Sequence, residues 1–288
     1  MFPAWADVLG LPDAQLIGVD LPLNAPPMRY RQAVRQIKED ALSLGAIITS
    51  HKLGVFQAAG DLFAGFSAEA ELCREVACIY KREGRLLGHA TDPLVSGLAL
   101  EHLLGADYWR RHPTDLLCLG AGGAAVALVV QLLTQNSGDN RPQRLILVDR
   151  DRQRLAQMEG LLERLPSSGI ALELMQAADP LVNDSLLQSL SPYSLVVNAT
   201  GMGKDLPGSP ITEAAVFPEN GAAWELNYRG ERLFLHQAEA QAAERHLRVG
   251  DGWHYFLRGW ATNISYIFDL PINHVLFAQL ERAAAAVR

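Results

Sequence analysis

Residues 116–130 read LLCLGAGGAAVALVV, and this stretch decides the fold. LLCLG is an unbroken apolar run that stops at a glycine, the pattern of a strand buried on both faces. The turn that follows, GAGGAA (120–125), fits GxGxxA with Gly120, Gly122 and Ala125 in the fixed positions. Gly120 permits a tight turn after the strand. Gly122 lets backbone N–H groups approach a pyrophosphate, and Ala125 keeps the next helix close to the strand. An anion held there faces the orphan N–H groups and positive end of a helix, so Gly120, Ala121, Gly122, Gly123 and Ala124 are the expected phosphate-binding residues.

The next apolar run, LILVD (145–149), ends in Asp149, 29 positions after Gly120. A carboxylate at that strand end can accept hydrogen bonds from the adenosine ribose, which favours NAD. Arg150, Arg152 and Arg154 follow at once, and an arginine there can pair with the 2′-phosphate of NADP. The expectation is NAD or NADP, with a slight lean to NAD. Further runs at ALELM (171–175), SLVVNAT (194–200) and AAWELNY (222–228) alternate with helical stretches at 124–133 and 152–165. Strand–helix alternation of this kind builds a parallel sheet covered on both faces.

Outside this block the rhythm changes. LIGVD (16–20) and AIIT (46–49) read as short strands, and 28–44, 53–64 and 68–79 as helices. Residues 256–268 and 272–287 are helical, with no strand to follow. The expected fold class is α/β: a Rossmann-type parallel-sheet cofactor domain plus a smaller α/β substrate domain completed by C-terminal helices. The expected division is 106–251 for the former and 1–105 with 252–288 packing back for the latter.

The composition narrows the function. The 288 residues carry 25 Lys and Arg against 32 Asp and Glu, a formal charge of −7, which excludes broad nucleic-acid binding. Cys73, Cys78 and Cys118 form no CxxC pair and suit a reducing compartment, with Cys118 read as core. The first residues lack a signal-peptide pattern and no window suits a membrane span, so the expected location is cytoplasmic, with no membrane partner. No HExxH or Cys/His cluster points to a metal, and no GxSxG elbow or P-loop is present.

With these motifs in order, the chain resembles the shikimate/quinate dehydrogenase family. GAIITSHK (45–52) is similar to the family segment that ends in a catalytic lysine, and ATD (90–92) to its Asn-Thr-Asp. GAGGAA, NATGMG (198–203), ELNYRGE (225–231) and DGWHYFLRGWA (251–261) are similar to its phosphate turn, its Asn-Ala-Thr loop, its strand-and-tyrosine segment and its final helix. The resemblance implies Lys52 and Asp92 as the catalytic pair. Beside Asp149 and Arg150, it adds Asn198, Ala199, Thr200 and Met202 to the cofactor site; Thr91 and Tyr228, with Thr49, His51 and Tyr255, make up the expected substrate site. A lysine beside a carboxylate can relay the hydroxyl proton that must leave as hydride departs. Each of the two residues also has a structural reading, Lys52 as a solvated surface lysine and Asp92 as a helix cap.

The chain departs from the family where substrate is gripped. The Ser-x-Ser pair that holds the substrate carboxylate is absent; LPLNAPPM (21–28) stands in its place. The family asparagines become Ile47 and Ala90, and the glutamine of the last motif becomes Gly259. Arg29, Tyr30 and Asn263 join Thr49, His51 and Tyr255 as candidate replacements. The expected function is alcohol–ketone interconversion on a cyclic hydroxy acid of the shikimate or quinate type, by a monomer or homodimer. The alternatives are a dehydrogenase for another cyclic or amino-substituted alcohol, or a dinucleotide-binding regulatory module without catalysis.

Overall fold

The computed structural model describes residues 1–22, 24–135, 140–166, 169–204 and 206–286. The chain divides into two compact units, residues 1–91 with 257–288, and residues 92–256. Among the described residues, no helix is long and apolar enough to cross a membrane.

The first unit contains α1 (Phe2–Leu9), α2 (Pro27–Glu39), β1 (Gly45–Ile47), α3 (Lys52–Ala59), β2 (Gly65–Phe66), α4 (Ala68–Cys73), β3 (Cys78–Arg82) and β4 (Arg85–His89). Its four strands lie in the order β1-β3-β4-β2. Val34, Val55, Ala59, Ile79 and Leu86 form the core beneath them. The strands β1 and β4 both run antiparallel to β3, so they are parallel to each other and end at one edge of the sheet. The register is explicit: Ile47 and His89 both stand opposite Cys78.

Two expectations fail in this unit. LIGVD (16–20) forms no strand; Leu16, Ile17 and Val19 are exposed at 53%, 78% and 70%. Its composition suits a strand, but strand preference is realised only where a neighbouring strand and a core accept it. The helix expected over 68–79 stops at Cys73, and Cys78–Arg82 is instead one arm of the β3–β4 hairpin. Arg74 takes a left-handed conformation (φ 56°) at that stop, and the hairpin turns through Glu83 (φ 51°) and Gly84 (φ 73°). Neither turn carries the Asn-Gly signature that would have announced it.

The second unit contains α5 (Asp92–Leu104), α6 (Tyr108–Arg111), β5 (Asp115–Leu119), α7 (Gly123–Val130), β6 (Arg144–Asp149), α8 (Arg152–Leu162), β7 (Ala171–Gln176), α9 (Pro180–Ser189), β8 (Leu195–Asn198), β9 (Ala222–Glu225), α10 (Leu233–Arg245) and β10 (Arg248–Gly250). The six strands are all parallel, in the order β10-β9-β8-β5-β6-β7. The chain therefore builds outward from β5 in one direction and returns to build outward from β8 in the other. The carboxyl ends of β5 and β8 flank the switch point, where open α/β sheets bind ligands. Leu116, Leu117 and Cys118 are fully buried in succession, as a strand covered on both faces requires. β10 is missing from the sequence reading; its three residues are too few for periodicity to register.

α11 (Trp253–Phe268) starts in the second unit, and its residues from Leu257 onward group with the first, as does α12 (His274–Ala285). The Trp5 indole N–H donates to the Leu280 carbonyl at 2.9 Å, tying α1 to α12. The helix expected over 272–287 thus begins two residues later, and Val287 lies outside the described residues. None of the cysteines is in a disulfide. Cys73 is half-buried, whereas burial pushes the Cys78 and Cys118 thiols up to about 12.

Candidate active site

The glycine turn closes the carboxyl end of β5. Gly120 has φ 106°, and a Cβ there would lie 2.7 Å from the backbone carbonyl group of Ala199. The turn after β5 and the Asn-Ala-Thr turn after β8 are therefore in backbone contact at the switch point, and only glycine fits between them. Above Gly122 and Gly123 the space is open: a Cβ on Gly123 would meet nothing within 4 Å, and one on Gly122 only the Arg154 guanidinium at 3.9 Å. Ala125 is fully buried where α7 meets the sheet. The turn thus leaves an open cradle at Gly122 and Gly123, flanked by Arg154, with room for an anion at the N-terminus of α7.

Asp149 is committed within the protein. One carboxylate oxygen accepts the Ala121 N–H at 2.7 Å and the other the Asp151 N–H at 2.8 Å, and the residue is 7% exposed. It fixes the glycine turn from the neighbouring strand and is not displayed for a ribose. This removes the basis of the lean toward NAD. The half-exposed guanidinium of Arg154 lies 3.9 Å from Asp149 and 3.9 Å from Asp151, on the flank of the turn, and Arg150 is exposed beside it.

The turn after β8 is held by side chains. Asn198 Oδ1 accepts from the Thr200 N–H (3.1 Å) and hydroxyl (2.7 Å), and the Thr200 hydroxyl accepts the Met202 N–H at 3.1 Å. Asn198 Nδ2 donates to Glu225 at 2.7 Å. Glu225 ends β9 with no exposed surface, and it also accepts from the backbone and side-chain N–H groups of Asn227. Neither Glu225 nor Asn227 was singled out from sequence. A lone acidic residue closing an apolar strand was the available signal.

Tyr228 stacks on Phe256 at 4.3 Å between centroids and faces Trp253, whereas Tyr255 turns its ring to Trp224. The two tyrosines expected to share the substrate are thus on different sides of α11. Tyr255 lines a pocket with His102, Trp224, Arg248 and His254.

In the first unit, β1 leads through Thr49 and Ser50, both exposed, to His51 and Lys52. His51 has both ring nitrogens engaged, with the Leu21 carbonyl (3.0 Å) and the Tyr30 hydroxyl (3.3 Å). It anchors α3 to the segment before α2. Tyr30 is buried and packs on Gly54, while Arg29 is exposed. Lys52 opens α3, half-buried, and its carbonyl accepts the Val76 N–H at 3.1 Å. β4 leads through Ala90 to Thr91, whose hydroxyl donates to Asn263 Oδ1 at 3.0 Å with both residues buried. Thr91 and Asn263 are thereby partners of each other. Asp92 follows as the half-buried first residue of α5.

A glycine-led turn at the switch point of a six-stranded parallel sheet defines a Rossmann-type α/β protein with a second, smaller α/β unit. No protein-family model matches the chain. It is 27% identical over 222 residues to the shikimate dehydrogenase (NADP(+)) of Lactococcus lactis subsp. cremoris (strain MG1363), covering 75% of this chain and 71% of that one. Its fold matches the shikimate 5-dehydrogenase of Thermus thermophilus, solved with NADP(H) and shikimate, with a TM-score of 0.69 and 25% identity over 99% of this chain and 94% of that one. It matches the ligand-free 5-ketofructose reductase of Gluconobacter sp. strain CHM43 with a TM-score of 0.68 and 20% identity, over 97% and 91% of the two chains; that likeness is one of fold alone. By sequence and fold together, the chain is similar to the shikimate dehydrogenases, as a divergent relative.

Proposed function

We propose that the chain is an NADP-dependent dehydrogenase that interconverts an alcohol and a ketone on a shikimate- or quinate-like cyclic hydroxy acid. The observation that carries the reading is the open cradle over Gly122 and Gly123, set at the switch point by the contact of Gly120 with Ala199. The 92–256 unit holds the dinucleotide and the other unit the substrate. Within the Gly120–Ala124 turn, the backbone at Gly122, Gly123 and Ala124 would receive the pyrophosphate, and Arg150 and Arg154 the 2′-phosphate that Asp149 is not placed to oppose. Asn198–Met202 and Tyr228 border the nicotinamide end. The dinucleotide, when bound, supplies the hydride acceptor or donor.

Lys52 and Asp92 take the proton. As the carbinol carbon loses hydride its hydroxyl must lose H⁺, and an amine beside a carboxylate can accept it and return it in the reverse direction.

Shikimate and quinate, each supplied with NADP and followed at the reduced-nicotinamide absorbance, test the reading. Lys52→Ala and Asp92→Asn should each lower turnover at least about a hundredfold, the usual size of lost acid–base help. Variants as active as the parent would remove these residues from the chemistry.

A second reading keeps the reaction and changes the substrate. It is favoured by the lost polar grip: Ile47, Ala90 and Gly259 stand where the family has amides, and His51 is already engaged by Leu21 and Tyr30. A panel of neutral cyclic alcohols, turned over faster than either acid, would select it.

A further inference from the structure

We propose that Glu225 is the positioning residue for the nicotinamide end of the dinucleotide: its buried carboxylate clamps the turn after β8 to the turn after β9. The proposal rests on the dinucleotide-binding reading above. The clamp is a closed set of hydrogen bonds. Glu225 Oε1 accepts the Asn227 N–H at 2.8 Å and Asn227 Nδ2 at 2.7 Å, and Oε2 accepts Asn198 Nδ2 at 2.7 Å. The two asparagines then grip the same atom, the Met202 carbonyl, at 2.9 Å from Asn227 Nδ2 and 3.4 Å from Asn198 Nδ2. Through Thr200, Asn198 also fixes the Met202 N–H. Met202 is thus held at both its N–H and its carbonyl by residues that Glu225 orients.

All three donors require an acceptor at Glu225, and the ionised carboxylate satisfies them at once. A protonated carboxyl would set an O–H against an N–H donor and leave a buried group unsatisfied. Burial raises the pKa of Glu225 to about 7, against the opposing pull of the asparagine hydrogen bonds and the nearby Arg232. Arg232, just ahead of α10, pairs with Asp251 at 2.8 Å. The clamp therefore loosens as pH falls through neutrality, and the cradle after β5, held by Asp149, does not take part.

The test separates the two ends of the cofactor. Dissociation constants for NADP⁺ and for 2′,5′-ADP, which lacks the nicotinamide end, are measured by calorimetry at about pH 6 and pH 8. Amide hydrogen exchange is followed at Met202 and Asn227. The wild type should bind NADP⁺ about tenfold more weakly at the lower pH, and 2′,5′-ADP within about twofold at both. Glu225→Gln, which places a donor among donors, should bind NADP⁺ about tenfold more weakly at the higher pH. It should lose the pH dependence, leave 2′,5′-ADP unaffected and speed exchange at both amides. Glu225→Asp should keep the pH dependence. A Glu225→Gln protein with unchanged NADP⁺ affinity and exchange overturns the proposal, as does one that loses both ligands alike. A wild type that binds neither ligand overturns the dinucleotide reading instead, and the exchange data still decide whether Glu225 holds the turns.

Discussion

Under the proposed function, cofactor choice turns on Arg154. Its guanidinium stands on the flank of the glycine turn, 3.9 Å from the Asp149 carboxylate. A 2′-phosphate arriving there would gain charge-assisted hydrogen bonds, whereas a bare ribose would gain little. Arg154→Ala should raise the KM for NADP about tenfold and leave that for NAD within about twofold, as measured by steady-state kinetics with each cofactor. Equal losses would assign the arginine to the turn itself. The position of Asp149 was legible in the sequence, because spacing after a glycine turn is a local property. Its role was not, since its partners are the backbone N–H groups of Ala121 and Asp151, which no side-chain pattern reveals. Glu225 escaped notice for a related reason: the asparagines that satisfy it come from an adjacent strand end and the following turn.

At the scale of elements, most of the parallel sheet was readable because β5, β6, β8 and β9 are unbroken apolar runs buried on both faces, whereas the edge strand β7 is largely exposed and was legible from its composition alone. The smaller sheet was legible only at β1, where AIIT (46–49) marks the strand Gly45–Ile47. β3 and β4 are half-buried, and LIGVD has strand composition without a strand to pair with. Short helices there depend on caps more than on propensity. At α4, six residues long, the Ser67 hydroxyl accepts the Ala70 N–H at 3.1 Å and also meets His89 Nδ1 at 3.2 Å. Ser67→Ala should cost about 1 kcal/mol in chemical denaturation, a typical loss for an N-cap. A change below about 0.3 kcal/mol would mean that water replaces the hydroxyl.

For the whole molecule, the two units differ in how they are sewn into the chain. One is a continuous stretch, and the other is assembled from the two ends, with α11 passing from the first kind to the second at Leu257. The sequence pattern assigns the C-terminal helices to the discontinuous unit, since they are apolar and have no strand to serve. It placed the joint near 105, whereas α5 groups with the continuous unit.

The distribution of sulfur turns this architecture into a pair of built-in reporters. Cys78 lies in one sheet and Cys118 in the other, each sealed from solvent and kept as a neutral thiol, while Cys73 retains some access. Because alkylation needs the thiolate, brief exposure of the native protein to iodoacetamide should modify Cys73 alone. In rising denaturant, mass spectrometry of peptides containing Cys78 and Cys118 would then time the opening of each unit separately, without an introduced label. Prompt labelling of all three in the native state would contradict the burial described for the two sheets.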